Sequence, residues 1–214
     1  MRLPFRYAKW LLLLLLAIAA AMVAFWPSSS MHETTDSERA AAHQVVSEKP
    51  PGGDFTLNTL QGERALSDYQ GQLVLLYFGY TFCPDICPTN LSSLSQAWQR
   101  LSSREQSKVK ILFVSVDPER DTLKRLQDYS DYFHSNITGM TGSPTDLARI
   151  ARNYGVVYQS HQKNAADQHY AVDHSAFTYV ISPSGELITQ LPHATAAEQI
   201  VKTVRQHLPE PPQP

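Results

Sequence analysis

Both cysteines of this chain lie in one short stretch, Cys83-Pro84-Asp85-Ile86-Cys87-Pro88. The apolar run Leu73–Phe78 before it reads as a buried strand, and Pro88–Leu101 after it repeats Leu91, Leu94, Trp98 and Leu101 at helical spacing. A strand that turns through two thiols into a helix calls for a sheet with helices laid against it. It also puts both sulfurs beside a helix N-terminus, where unpaired N–H groups favour an anion and lower a thiol pKa. Pro88 suits the first turn, where no N–H is needed.

A second polar cluster stands far downstream, Val172-Asp173-His174-Ser175, just before the apolar run Ala176–Ile181. Two sulfurs and one imidazole form a ligand set for copper or zinc, and a sheet-based fold can bring Cys83, Cys87 and His174 together. The Cys-x-x-x-Cys spacing alone is a weaker signal than paired Cys-x-x-Cys knuckles. A structural disulfide is the bland alternative, although a bridge over so short a loop staples little chain. Asp85 is either a weak extra oxygen ligand or a solvated turn carboxylate. Asp173 either orients the His174 ring or bonds local backbone.

The first residues bear on redox compartment. Arg2, Arg6 and Lys9 precede Trp10–Trp26, a run without charge that reaches the roughly 17–25 residues a spanning helix needs. Bases before the run and none directly after it set residues 1–9 in the cytoplasm, 10–26 as a transmembrane anchor and the rest outside. A cleaved signal peptide is the alternative, with Ala17, Ala19, Ala20 and Ala21 as small residues for cleavage. Trp26-Pro27 resembles an interfacial boundary more than a processing site, and no lipobox cysteine lies near. The formal net charge of −2 argues against nucleic-acid binding. Outside the cytoplasm, thiols persist when paired, metal-bound or kept reduced.

Residues 27–49, rich in Ser, Thr, Glu and Ala, read as a flexible linker in which His32 and His43 are solvated. Pro50-Pro51-Gly52-Gly53 opens a domain over 50–208, and 209–214 is a proline-rich tail. Within the domain, Phe55–Leu57 and Arg64–Leu66 are short strands. Gln72–Phe78 and Val109–Val116 are central strands. Gly79 permits a sharp turn or a close backbone approach, and Tyr80 and Phe82 either wall the site or pack in the core. Asp121 caps a helix to Tyr132. Ile137–Met140 is a short strand, and Ser143-Pro144 opens a helix that Gly155 ends. Val156–Tyr158 continues as a strand, and the polar segment 160–169 is a loop or hairpin tip. Ala176–Ile181 and Glu186–Gln190 form a hairpin through Pro183-Ser184-Gly185, before a last helix with Ala197, Ile200, Val201 and Val204 on its apolar face. Central buried strands with flanking helices make an α/β sandwich, with the cysteine loop at the C-terminal end of its strand, where such sheets place their sites.

These segments carry a resemblance. Tyr80-Thr81-Phe82-Cys83-Pro84-Asp85-Ile86-Cys87-Pro88 resembles the signature of the Sco/SenC family of membrane-tethered copper proteins, and Ser115-Val116-Asp117-Pro118, Thr138-Gly139-Met140-Thr141-Gly142 and Val172-Asp173-His174-Ser175 follow at fitting intervals. The resemblance spans roughly residues 50–208 and includes the N-terminal anchor. It implies a thioredoxin-like fold with a central mixed sheet, flanking helices and an added N-terminal hairpin. It further implies a copper metallochaperone that binds Cu(I) and Cu(II) through Cys83, Cys87 and His174. Such a protein assists assembly of the dinuclear copper centre of cytochrome c oxidase, with the domain in the periplasm of a bacterium and a single-pass anchor in its inner membrane. Its partners are the copper-site subunit of the oxidase, another copper carrier and a thiol reductant.

The chemistry is compatible with that implication. Cu(I) is soft and prefers thiolate sulfur, with imidazole completing a three-coordinate site. A closed zinc site takes four protein ligands; His161 and His169 are the loop candidates for a fourth. His134 reads as helix-terminal or core, His193 as a helix cap or solvated, and His207 as a surface residue. The alternative function is a thiol–disulfide oxidoreductase with Cys83 attacking and Cys87 resolving. Against it, the spacing exceeds Cys-x-x-Cys by one residue, and His174-Ser175 stands where thioredoxin-like reductases place a cis-proline.

Overall fold

A computed structural model describes residues 49–164 and 166–208. The expected transmembrane run at 10–26, most of the linker and the proline-rich tail lie outside these residues. Among the described residues no helix is long and apolar enough to cross a membrane.

The chain begins with an antiparallel hairpin, β1 (Thr56–Thr59) and β2 (Gly62–Ala65), followed by a 3-10 turn at Leu66–Tyr69. β3 (Leu73–Gly79) is buried at every residue, and such a continuous apolar run suits a strand covered on both faces. Helix α1 (Ile86–Gln99), a short helix α2 (Ser103–Gln106) and β4 (Val109–Ser115) come next. They are followed by α3 (Leu123–Phe133), β5 (Ile137–Met140) and α4 (Pro144–Tyr154). A small hairpin of β6 (Tyr158–Ser160) and β7 (Val172–His174) precedes β8 (Thr178–Ile181), β9 (Leu187–Leu191) and α5 (Ala197–His207).

The main sheet has the order β5-β4-β3-β8-β9. Its first three strands are parallel, β8 pairs antiparallel with β3, and β9 pairs antiparallel with β8, so the sheet is mixed as expected. This is the thioredoxin-like α/β arrangement, with β1–β2 as the added hairpin, tied to the sheet through backbone bonds between Asn58 and Thr141. Parallel pairing of β3 with β4 brings Gly79 beside Ser115, so the loops leaving both strands meet at one end of the sheet. The functional segments emerge there.

Several local expectations shift. The first helix starts at Ile86 and takes Cys87 into its first turn, with Pro88 in that same turn. Asp121 is not the cap of α3: the hydroxyl of Thr122 accepts from the Arg125 N–H, and Asp121 is buried beneath it. Residues 156–157 are not a strand, and pairing begins at Tyr158 because β6 follows the register of β7. The strand expected from Ala176 begins at Thr178, opposite Tyr77 of β3. The capping reading of Ser143 and Gly155 holds: Ser143 accepts from the Asp146 N–H, and Gly155 takes the left-handed conformation that a Cβ would strain. His193 caps nothing; α5 begins after Ala196. His134 ends α3, packed on Trp98.

Candidate metal centre

Cys83, Cys87 and His174 converge. Their potential ligand atoms all lie within 4.8 Å of one another, and among the described residues no other acidic, cysteine or histidine side chain joins the group. Three different pieces of chain deliver them: the loop after β3, the first turn of α1 and the last residue of β7. Cys87 Sγ lies 3.3 Å from His174 Nε2. A trigonal centre with metal–sulfur bonds of about 2.3 Å sets its donors roughly 4 Å apart, so a single soft ion fits among the three with small adjustments.

Gly79 makes room for this geometry. A Cβ there would lie 2.7 Å from Cys87 Sγ and 3.0 Å from the Phe113 ring, so the glycine serves close approach. Two residues back on the same strand face, Tyr77 places its hydroxyl 3.7 Å from the same sulfur. Tyr77 is a site residue that motif reading passed over; strand alternation from Gly79 is the signal that finds it. Burial and the adjoining Cys87 raise its phenol well above the usual range.

The two thiols are not equivalent. Cys83 Sγ accepts the backbone N–H of Cys87 at 3.4 Å, at the N-terminal end of α1. Hydrogen bonding from the Cys87 thiol, together with His174 and the N–H groups of Cys87 and Asp85, holds Cys83 far below the ordinary thiol range, against the opposing effect of burial. Cys87 moves the other way, because it donates to Cys83 and is wholly buried. The two thiols therefore titrate as a coupled pair, and the N–H groups at the start of α1 favour the anion on Cys83. Cys83 and Cys87 are not bridged in this structure.

The imidazole is oriented from behind. His174 Nδ1 lies 3.1 Å from the Ser175 carbonyl; the tautomer that donates there presents the Nε2 lone pair a metal needs, whereas the tautomer protonated at Nε2 donates to the sulfurs. The rings of Tyr77 and Tyr80 meet it edge-on, at 6.2 Å and 5.8 Å between centroids. Asp173 does not orient this ring. Successive strand residues face opposite ways, and Asp173 points to solvent, where it pairs with His161 at 2.7 Å. Asp85 is exposed and outside the triad, so it is not an extra oxygen ligand here. Neither His161 nor His169 supplies a fourth donor.

A buried polar network braces the loop before Cys83. The carboxylate of Asp121 accepts the Thr81 N–H at 2.9 Å, the Thr81 hydroxyl, and the Ser115 hydroxyl at 2.6 Å. Burial raises its pKa, while those hydrogen bonds pull it down. Tyr80 walls the site: it is buried, and its hydroxyl accepts the Val172 N–H at 3.3 Å. Phe82 instead faces outward, 42% exposed, beneath the guanidinium groups of Arg120 and Arg125.

A family model described as SCO1/SenC matches residues 44–209. The mitochondrial SCO2 homolog of Bos taurus is 43% identical over 158 residues, covering 73% of this chain and 59% of that protein, so the chain spans less than two thirds of that relative. The crystal structure of Arabidopsis thaliana ScoI with copper bound aligns with a TM-score of 0.67 and 34% identity, over 73% of this chain and 97% of that one. BsSco, a member of the Sco family of cytochrome c oxidase assembly proteins in which a disulfide switch was identified, shares the fold at 23% identity and a TM-score of 0.58, over 75% of this chain and 94% of that one.

Proposed function

The chain belongs to the SCO1/SenC family, and from that premise we propose that it is a copper metallochaperone whose ligands are Cys83, Cys87 and His174. The observation that carries this reading is the convergence of two sulfurs and one imidazole nitrogen within 4.8 Å, without a fourth protein donor among the described residues. A soft, low-coordinate Cu(I) suits that set, and a closed zinc site does not. Copper seen in the Arabidopsis relative supports the same choice. Cys83 and Cys87 would both ligate as thiolates, and a proton remaining on the pair leaves as the ion enters. The cargo goes to the copper-site subunit of cytochrome c oxidase, and another copper carrier supplies it. Residues 10–26 anchor the chain in a bacterial inner membrane, with the domain 50–208 in the periplasm.

The decisive measurement is copper and thiol stoichiometry on reduced and oxidised protein, with X-ray absorption of the bound metal. Reduced protein takes up one Cu(I) per chain in a sulfur-rich shell with one imidazole. Protein oxidised to the Cys83–Cys87 disulfide takes up none until reduced, because a disulfide has no thiolate donors. Equal uptake by both forms defeats the proposal.

The split between the two thiols favours a second reading, a reductase for the cysteines of the oxidase copper site. The Cys83 thiolate attacks a substrate disulfide and expels one thiolate. Cys87 then gives up its proton and attacks the mixed disulfide, releasing the second thiolate and leaving a Cys83–Cys87 disulfide that a thiol reductant must reopen. Turnover of a dithiol-dependent disulfide substrate by metal-free protein tests it.

A further inference from the structure

Arg120 is enclosed, together with its partner Asp117, between the two segments that carry the site. It lies in the loop after β4, with 4% of its side chain exposed. Its Nε donates to Asp117 Oδ2 at 2.6 Å, and Nη1 donates to the Tyr170 carbonyl at 2.8 Å and, more weakly, to the Gln168 carbonyl at 3.4 Å. The guanidinium stacks on the Tyr170 ring at 3.5 Å and over Phe82 at 4.6 Å. The circuit closes through the Tyr170 hydroxyl, which donates to Asp117 Oδ1 at 2.7 Å. Phe82 adjoins Cys83, and Tyr170 lies just before β7, which ends at His174.

Burying such an ion pair brings no more stability than a well-packed apolar replacement of equal volume. Here it also leaves a donor stranded: Arg120 Nη2 is buried without a partner. A group so costly to keep for stability alone is explained by what it spans. β6 and β7 form a sheet of their own, outside the five-stranded sheet. Backbone pairing to that sheet therefore does not set the height of His174 above the cysteines. Side chains make the contacts across the gap: the Arg120–Tyr170–Asp117 circuit, the bond from Val172 to Tyr80, and the His174 ring against Cys87, Tyr77 and Tyr80.

We propose that Arg120 is a positioning residue, a strut that holds the histidine-bearing strand at the distance from the cysteine loop at which His174 joins Cys83 and Cys87 on one metal ion. The proposal rests on the copper reading for its consequence, though not for the strut itself. Two measurements separate them. The first is backbone amide exchange in metal-free, reduced protein. Arg120→Met, which keeps the length and removes the charge, speeds exchange at Val172 and His174 tenfold or more while β3 and β4 amides keep their wild-type rates. The second is electron paramagnetic resonance of Cu(II)-loaded protein. In Arg120→Met the nitrogen hyperfine coupling is lost and Cu(II) affinity falls at least tenfold, while Cu(I) affinity, set by the two thiolates, stays within threefold. Arg120→Lys, which keeps the charge but not the fork, recovers part of both effects. Exchange and hyperfine coupling within twofold of wild type in Arg120→Met overturn the strut. So does uniform acceleration that includes β3 and β4, since that marks a residue of general stability. If Arg120→Met does not fold, Tyr170→Phe decides: it keeps the stacking and removes one hydroxyl, and exchange at Val172 that remains unchanged rejects the proposal. Wild-type protein that binds no copper ends the copper reading and leaves amide exchange to judge the strut.

Discussion

Cys87 and His174 approach within 3.3 Å of each other from very different surroundings. Cys87 lies in the first turn of a fourteen-residue helix, fully buried, over Gly79 and beside Tyr77. His174 ends a three-residue strand of an isolated two-stranded hairpin and is only partly buried. Packing at interior density leaves the sulfur little room to move, whereas a short hairpin fastened by a few side-chain bonds opens at lower cost. The candidate centre thus has a stiff half that offers sulfur and a looser half that offers an imidazole. This division suits the proposed copper handling, in which the ion is gripped and later released.

The sharpest way to break the contrast is to disturb the stiff half. Gly79→Ala forces a Cβ against Cys87 Sγ and Phe113, with no flexible chain end to give way. Overpacking of this kind costs about 1–3 kcal/mol. Urea unfolding should show that loss, and Cu(I) affinity should fall as well because the sulfur is displaced. Wild-type stability and affinity together in this variant reject the idea that Gly79 sets the position of Cys87.

A smaller, more selective effect is expected from the looser half. His174→Ala leaves both sulfurs and a side chain only half enclosed is lost, so the fold survives. Cu(I) binding weakens moderately, while Cu(II), which needs imidazole-type donors, loses its nitrogen coupling. Paired absorption and paramagnetic resonance titrations measure the two oxidation states. Unchanged Cu(II) spectra, with disulfide reduction abolished, defeat the ligand assignment and favour the reductase.

The smallest effect belongs to the outer face of the hairpin. Asp173 and His161 pair in solvent, with side chains 77% and 51% exposed. Exposed pairs contribute about 0–1 kcal/mol. Asp173→Asn should therefore shift the unfolding midpoint little and leave copper affinity within twofold in calorimetric titration. A tenfold loss of copper affinity there shows that Asp173 acts on His174 despite facing away from it.

Much of this molecule is legible in the chain. Continuous apolar runs mark β3 and β4, and a proline after a serine with a glycine eleven residues on marks α4. Cys83, Cys87 and His174 stand out because sulfur and imidazole have few bland uses at such positions. Other parts are illegible for physical reasons. Asp121 precedes a helix and has the chemistry of a cap, so nothing local distinguishes it from Thr122, the residue that does cap. Its inward role depends on Thr81, in the turn after β3, and on Ser115, at the end of β4. Asp173 neighbours His174 in sequence, and only the pleat of β7 shows that neighbours along a strand face apart.

The sequence by itself determined the periodicities, the caps and the donor atoms, because these depend on residues a few positions apart and on the chemistry of single side chains. Tertiary structure alone decided which donors meet. It chose Cys87 over Gly79, put Tyr77 against a sulfur, sent Asp173 to His161 and enclosed Arg120 between Phe82 and Tyr170. Those choices follow from strand order and register, which set distances between residues far apart in the chain, and a linear pattern carries no such distance.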